Sequence, residues 1–150
     1  MADASTQVDF YHLTQTPVER ALPRIAGKVL EAGGRLLIVS GDEAQREALD
    51  RALWEQPADG FLPHGAAGGA HDSHQPVLIA EGCNAVNGAK MVALADGKWR
   101  DEALGFERAF LFFDDAGRAA AREAWAALAA REDVEPRYHA QEEGRWVRKR

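Results

Sequence analysis

Three side chains near the carboxyl-terminal end of this 150-residue sequence are spaced for joint chemistry: Arg118, Arg122 and Trp125, four and three positions apart. On an α-helix that spacing stacks them on one face. Two arginines at i and i+4 repel by roughly 0.2–0.5 kcal/mol in an isolated helix. Most of the surrounding residues are alanine, which leaves the approach shallow and unobstructed. Two guanidinium forks beside an indole suit a carboxylate that sits next to an apolar or aromatic side chain. Glu123 projects about 100° away and does not readily cancel the pair. The competing arrangement is a solvated arginine face with Trp125 tucked inward.

A second constellation runs from Leu53-Trp54-Glu55-Gln56-Pro57 to Phe61-Leu62-Pro63-His64-Gly65. It sets Trp54 at a helix end and Phe61 in the following loop, with Pro63 limiting loop freedom. Either both rings cap the core or they anchor an interface that also involves Pro63 and His64.

Other motifs are weaker. A phosphate-cradling loop needs glycines directly between strand and helix. The first such junction reads Thr14-Gln15-Thr16-Pro17, with no glycine, and the second reads Ser40-Gly41-Asp42-Glu43, where two carboxylates repel phosphate. Gly65, Gly68 and Gly69 lack a following Lys-Ser/Thr and open no helix. His71-Asp72-Ser73-His74 offers two imidazoles and a carboxylate, but in an aperiodic Gly/Ala/His loop rather than on the rigid element that zinc's three or four ligands require. Cys83 stands alone in a turn without a visible base. No catalytic residue, cofactor or metal is therefore expected. The alternative is a small α/β enzyme or a nucleotide- or metal-binding protein using the Gly65–His74 loop.

The elements that must position these residues alternate along the chain. Val8–Leu13 reads as a first strand after a polar leader over residues 1–7. Thr16 as N-cap and Pro17 at the first helical position then open a helix that ends at Gly33-Gly34, with Pro23 shifting or kinking its first turns. Arg35–Ser40 reads as a strand buried on both faces. Asp42 caps a second helix that stops before Pro57, and residues 57–76 read as a long aperiodic loop. Val77–Ala80, Met91–Leu94 and Ala109–Phe113 are three more strands. Asp114 or Asp115 caps an alanine-rich helix to about Arg131, and the tail adds an edge strand around Arg145–Val147. This order predicts a single α/β domain over 1–150, a mostly parallel sheet with helices on both faces.

Composition agrees with a globular chain: 46% hydrophobic, 28% charged, one cysteine and net charge −6. One cysteine excludes a disulfide scaffold. No apolar run reaches the roughly 18 residues of a membrane span. Met1–Asp9 lacks the basic and apolar regions of a secretory leader, so the expected location is cytoplasmic. Residues 1–117 carry a net −8 and residues 118–150 a net +2. The acidic body is a poor direct nucleic-acid surface, whereas the basic third can receive an acidic partner.

Phe10-Tyr11-His12-Leu13, Leu49-Asp50-x-x-Leu53-Trp54, Phe61-Leu62-Pro63-His64-Gly65, Pro76-Val77-x-Ile79 and Phe106-Glu107-Arg108-Ala109 together resemble the chi subunit family of bacterial DNA polymerase III, over roughly residues 8–130. The resemblance implies a Rossmann-like fold without a nucleotide-binding glycine loop, and a non-catalytic accessory role in DNA replication. It implies a link between the clamp loader and the acidic C-terminal tail of the single-stranded-DNA-binding protein, which ends in an aromatic residue. By this resemblance the tail-binding positions are Arg118, Arg122 and Trp125. The contact to a second partner lies around Trp54 and Phe61; that partner is the psi subunit, the clamp loader itself or a helicase. DNA is then reached indirectly. Ala126 stands where the family more usually has a basic residue, and residues 132–150 match weakly.

Overall fold

The structure is a computed structural model that describes residues 6–14, 16–55, 64–69, 71–142 and 145–149, with side chains through 141. Short apolar runs become interior strands. Leu36–Val39 (β2) and Val77–Ala80 (β4) are buried throughout, as strands covered on both faces must be. With β1 (Thr6–His12), β3 (His64–Ala66), β5 (Met91–Leu94), β6 (Arg108–Phe113), β7 (Val134–Glu142) and β8 (Arg145–Lys149), they form one sheet of order β3-β4-β2-β5-β6-β1-β7-β8. The first seven strands run parallel, and β8 closes the edge antiparallel to β7.

Side-chain alternation divides the core in two. Helices α1 (Val18–Glu31) and α2 (Glu43–Glu55) cover the face that carries Tyr11, Ile38, Phe110 and Phe112. Helix α3 (Arg118–Ala129) and the segment around Trp99–Phe106 cover the face that carries Val8, Phe10, Leu111 and Phe113. Each fully buried large side chain contributes about 1.5–3 kcal/mol, so both faces are strongly held. The α/β class, the parallel sheet and helices on both faces are as the sequence predicts.

Four details differ from the sequence reading. Within the expected loop, His64–Ala66 forms a three-residue edge strand against β4, and Asp72–His74 a 3-10 turn. Its His-Gly-Ala sequence carries no β signal, so pairing with β4 decides it. The tail gives a nine-residue strand β7 along the full length of β1. Pro136 obscures it in the sequence, yet it precedes the stretch Tyr138–Glu142 that β8 covers, where a missing N–H is tolerated. Thr16 does not cap α1: its hydroxyl accepts from Gln141 Nε2 at 2.7 Å, and Pro17 occupies the cap position. The helix also continues through Pro23, whose buried ring joins the apolar face. Asp42 does cap α2, accepting from the Ala44 N–H at 3.0 Å.

Candidate functional site

The chain leaves β6 at Asp114, whose carboxylate accepts from the Gly117 N–H at 3.1 Å. A single 3-10 turn, Asp115–Gly117, then launches α3, so Arg118 is the first residue of that helix. Arg118, Arg122 and Trp125 share one face, as their spacing requires, and Ala121 between them is buried against the sheet. The first turn of α3 contains no acidic residue. Both arginines are solvent-exposed, and among the described residues neither has a carboxylate partner. The positive end of the helix dipole adds to their field.

Trp125 is neither free in solvent nor wholly tucked inward. The indole is half-buried, edge-on to Phe10 of β1 at 5.1 Å and to Tyr138 of β7 at 6.2 Å. Phe113 of β6 completes the group, edge-on to Phe10 at 6.4 Å and to Tyr138 at 6.2 Å. Edge-to-face aromatic pairs of this kind are worth about 0.5–1.5 kcal/mol each beyond burial. The four rings, Ala121 and the two arginines enclose a cleft of about 250 Å³. It can take an apolar or aromatic side chain below and an anionic group at the rim. Phe10, Phe113 and Tyr138 escape a linear reading because they come from three strands. The available signal is that Phe10 and Phe113 are large apolar residues on strands that flank the α3 connection.

The second candidate surface lies at the other end of the sheet. Trp54, on the last turn of α2, is 57% exposed and edge-on to the His64 ring at 5.1 Å. His64 is buried, its Nε2 3.0 Å from Asp50 Oδ1 but off the hydrogen-bonding axis. The structure therefore brings Trp54 and His64 together, beside a groove of about 770 Å³ lined by Asp50, Arg51, Ala67 and Glu81 among others. Phe61 and Pro63 lie outside the described residues. In the Gly65–His74 segment, Asp72 accepts from the amides of Gly68 and Gly69 at 2.9 and 3.0 Å. The backbone donors that would cradle a phosphate there are already used by the chain's own carboxylate.

On the opposite face of β1, Asp9 is wholly buried and receives Arg108 Nε at 2.7 Å, His139 Nε2 at 2.9 Å and Gln7 Nε2 at 2.9 Å. Burial pushes its carboxyl up, but the hydrogen bonds from His139 and Arg108, with the Arg108 charge, outweigh that and hold it below the ordinary carboxylate value. This network joins β1, β6 and β7, the three strands that carry the cleft's rings.

A parallel sheet wound by helices on both faces, with its cleft on the last crossover helix, defines a Rossmann-like α/β protein. The chain belongs to the DNA polymerase III chi subunit family: residues 5–134 match the family model described as DNA polymerase III chi subunit, HolC. It is 43% identical over 63 residues to DNA polymerase III subunit chi of Escherichia coli (strain K12), covering 42% of this chain and 43% of that protein. It is 34% identical over 80 residues to the Pseudomonas aeruginosa subunit chi, covering 51% and 55%. The Haemophilus influenzae subunit chi is 31% identical over 74 residues, covering 47% and 51%. The chain thus spans about half the length of the relatives it matches.

Proposed function

We propose that this chain is a non-catalytic accessory subunit of DNA polymerase III. It links the clamp loader to the acidic C-terminal tail of the single-stranded-DNA-binding protein, in the cytoplasm. The observation that carries this reading is the cleft: four aromatic rings below, and two arginines with no carboxylate partner among the described residues at its rim. A terminal aromatic side chain fits among the rings, while its α-carboxylate and the preceding acidic residues meet the guanidinium groups. A short flexible tail loses freedom on ordering, so single-site affinity is micromolar in order, and several tails on one oligomer add avidity. Replication DNA is reached through that partner.

The exposed Trp54 beside His64 serves the second contact, to the psi subunit, the clamp loader or a helicase. No helix of the described residues is long and apolar enough to cross a membrane.

The test is a titration with an acidic peptide ending in phenylalanine, and with the same peptide lacking that residue. Binding of the first and loss of at least tenfold with the second supports the reading. Equal binding of both peptides, or of neither, contradicts it.

A further inference from the structure

Behind the cleft, on the same face of β1 as Phe10, lies the buried imidazole of His12. Its Nε2 is 2.7 Å from Asp115 Oδ1, and its Nδ1 is 3.0 Å from the Tyr138 hydroxyl. The ring stacks on Phe113, centroids 4.9 Å apart and planes within 7°. A carboxylate only accepts, so Nε2 carries the proton at the Asp115 contact. The neutral ring then presents a bare Nδ1, which accepts from the Tyr138 O–H. Two walls of the cleft, Phe113 and Tyr138, and the turn that launches Arg118 therefore meet at one side chain.

We infer that His12 is a positioning residue for the cleft and makes its affinity for a peptide carboxylate depend on pH. The inference rests on the peptide reading above. When Nδ1 takes a proton from solvent, the ring donates on both sides. The Tyr138 oxygen must then accept, and its own proton turns away from His12 toward the cleft that the phenol lines. There it donates to a bound carboxylate, and the imidazolium adds a positive charge behind it. Affinity rises as pH falls.

The groups around His12 are consistent with this sign. Asp115 and Asp114 come from the turn, with Asp114 engaged by the Gly117 N–H. Tyr138 comes from β7 and the uncharged Phe113 from β6, while Arg118 and Arg122 of α3 line the cleft that these two rings wall. Arginine does not titrate in this range, and between pH 8 and about 5.5 it is imidazoles that ordinarily change charge. His139, adjacent to Tyr138 in sequence, faces the other side of β7, where it stacks on Tyr11 at 4.6 Å.

The probe is a fluorescein-labelled acidic peptide ending in phenylalanine with a free α-carboxylate, titrated into the full chain at two pH values and fixed ionic strength. From pH 8 to about 5.5 the wild type is expected to bind about three- to tenfold tighter, the range of one added hydrogen bond. Tyr138→Phe keeps the ring and the cleft's shape, and His12→Gln keeps polarity without titrating. Each is expected to change by less than about twofold over the same interval. A wild-type pH slope that persists in Tyr138→Phe overturns the role of His12, as does wild-type binding without a slope. Absence of wild-type binding at both pH values overturns the peptide reading and this inference with it.

Discussion

Trp125 on α3 stands edge-on to Phe10 on β1, ring centroids 5.1 Å apart with planes at 72°. The contact spans 115 positions of sequence and fixes the indole before any partner arrives. A receptor whose anchor is already packed loses little entropy on binding. The same packing makes Trp125 serve stability and recognition together.

Trp125→Ala is accordingly expected to weaken acidic-peptide binding at least tenfold and to destabilise the fold by about 2–3 kcal/mol, below the range for a fully buried tryptophan because the ring is half-buried. Trp125→Phe keeps an aromatic edge and should recover most of the stability. Thermal melts paired with peptide titrations separate the two effects. Retained affinity in the alanine variant would remove the indole from the site.

Arg122→Ala should cost about 1–2 kcal/mol of peptide affinity, the charged-hydrogen-bond range reduced because the guanidinium is solvent-exposed. The melting temperature should not move, since the described residues hold no ion pair to Arg122. Affinity should also fall with added salt, which screens exposed charges. Calorimetric titration over a salt series checks both, and a flat salt response argues against the arginine rim.

Asp9 is expected to contribute to acid stability. Its lowered carboxyl binds a proton more readily in the unfolded chain than in the folded one. Its contribution is therefore whole above the unfolded carboxylate value of about 3.9, and is lost as pH falls through the lower folded value. Asp9→Asn should destabilise by about 1.5–3 kcal/mol at pH 7, leaving Arg108 and His139 without their charged acceptor. Denaturant melts from pH 7 to 2.5 should show the wild-type advantage shrinking in the acid range. A constant difference across that range would contradict the assignment.

Trp54 is expected to behave differently from Trp125. At 57% exposure, Trp54→Glu should alter stability by no more than about 0.5 kcal/mol and leave tail-peptide binding intact. It should abolish association with the second partner in a reconstitution with clamp-loader subunits. Unimpaired association would restrict Trp54 to shielding His64.

Much of the fold was legible because burial on both faces leaves an unmistakable pattern. Leu36–Val39, Val77–Ala80 and Met91–Leu94 contain no polar residue and flank turn signals, so a parallel interior sheet follows. β3 was not legible, since three residues of His-Gly-Ala acquire strand geometry only from β4. β7 was hidden by Pro136 and by polar residues such as Arg137 and His139. His139 belongs to a network with buried Asp9 that no local pattern reveals. Thr16 shows the same limit at one residue: a good cap by type, it is claimed by Gln141, 125 positions away.

The candidate cleft was half legible. Helical spacing alone places Arg118, Arg122 and Trp125 on one face. The walls opposite, Phe10, Phe113 and Tyr138, come from strands made neighbours by the order β6-β1-β7. Only the sheet's topology assembles them, and no spacing within α3 carries that information.

The most direct measurement is an intermolecular NOE experiment on the full chain with an acidic peptide ending in phenylalanine. Cross-peaks from the peptide's terminal ring to Trp125, Tyr138 and Phe10 are the predicted result. Cross-peaks confined to Trp54 and the groove beside His64 would place the peptide on the other surface and contradict the assignment of the arginine-rimmed cleft.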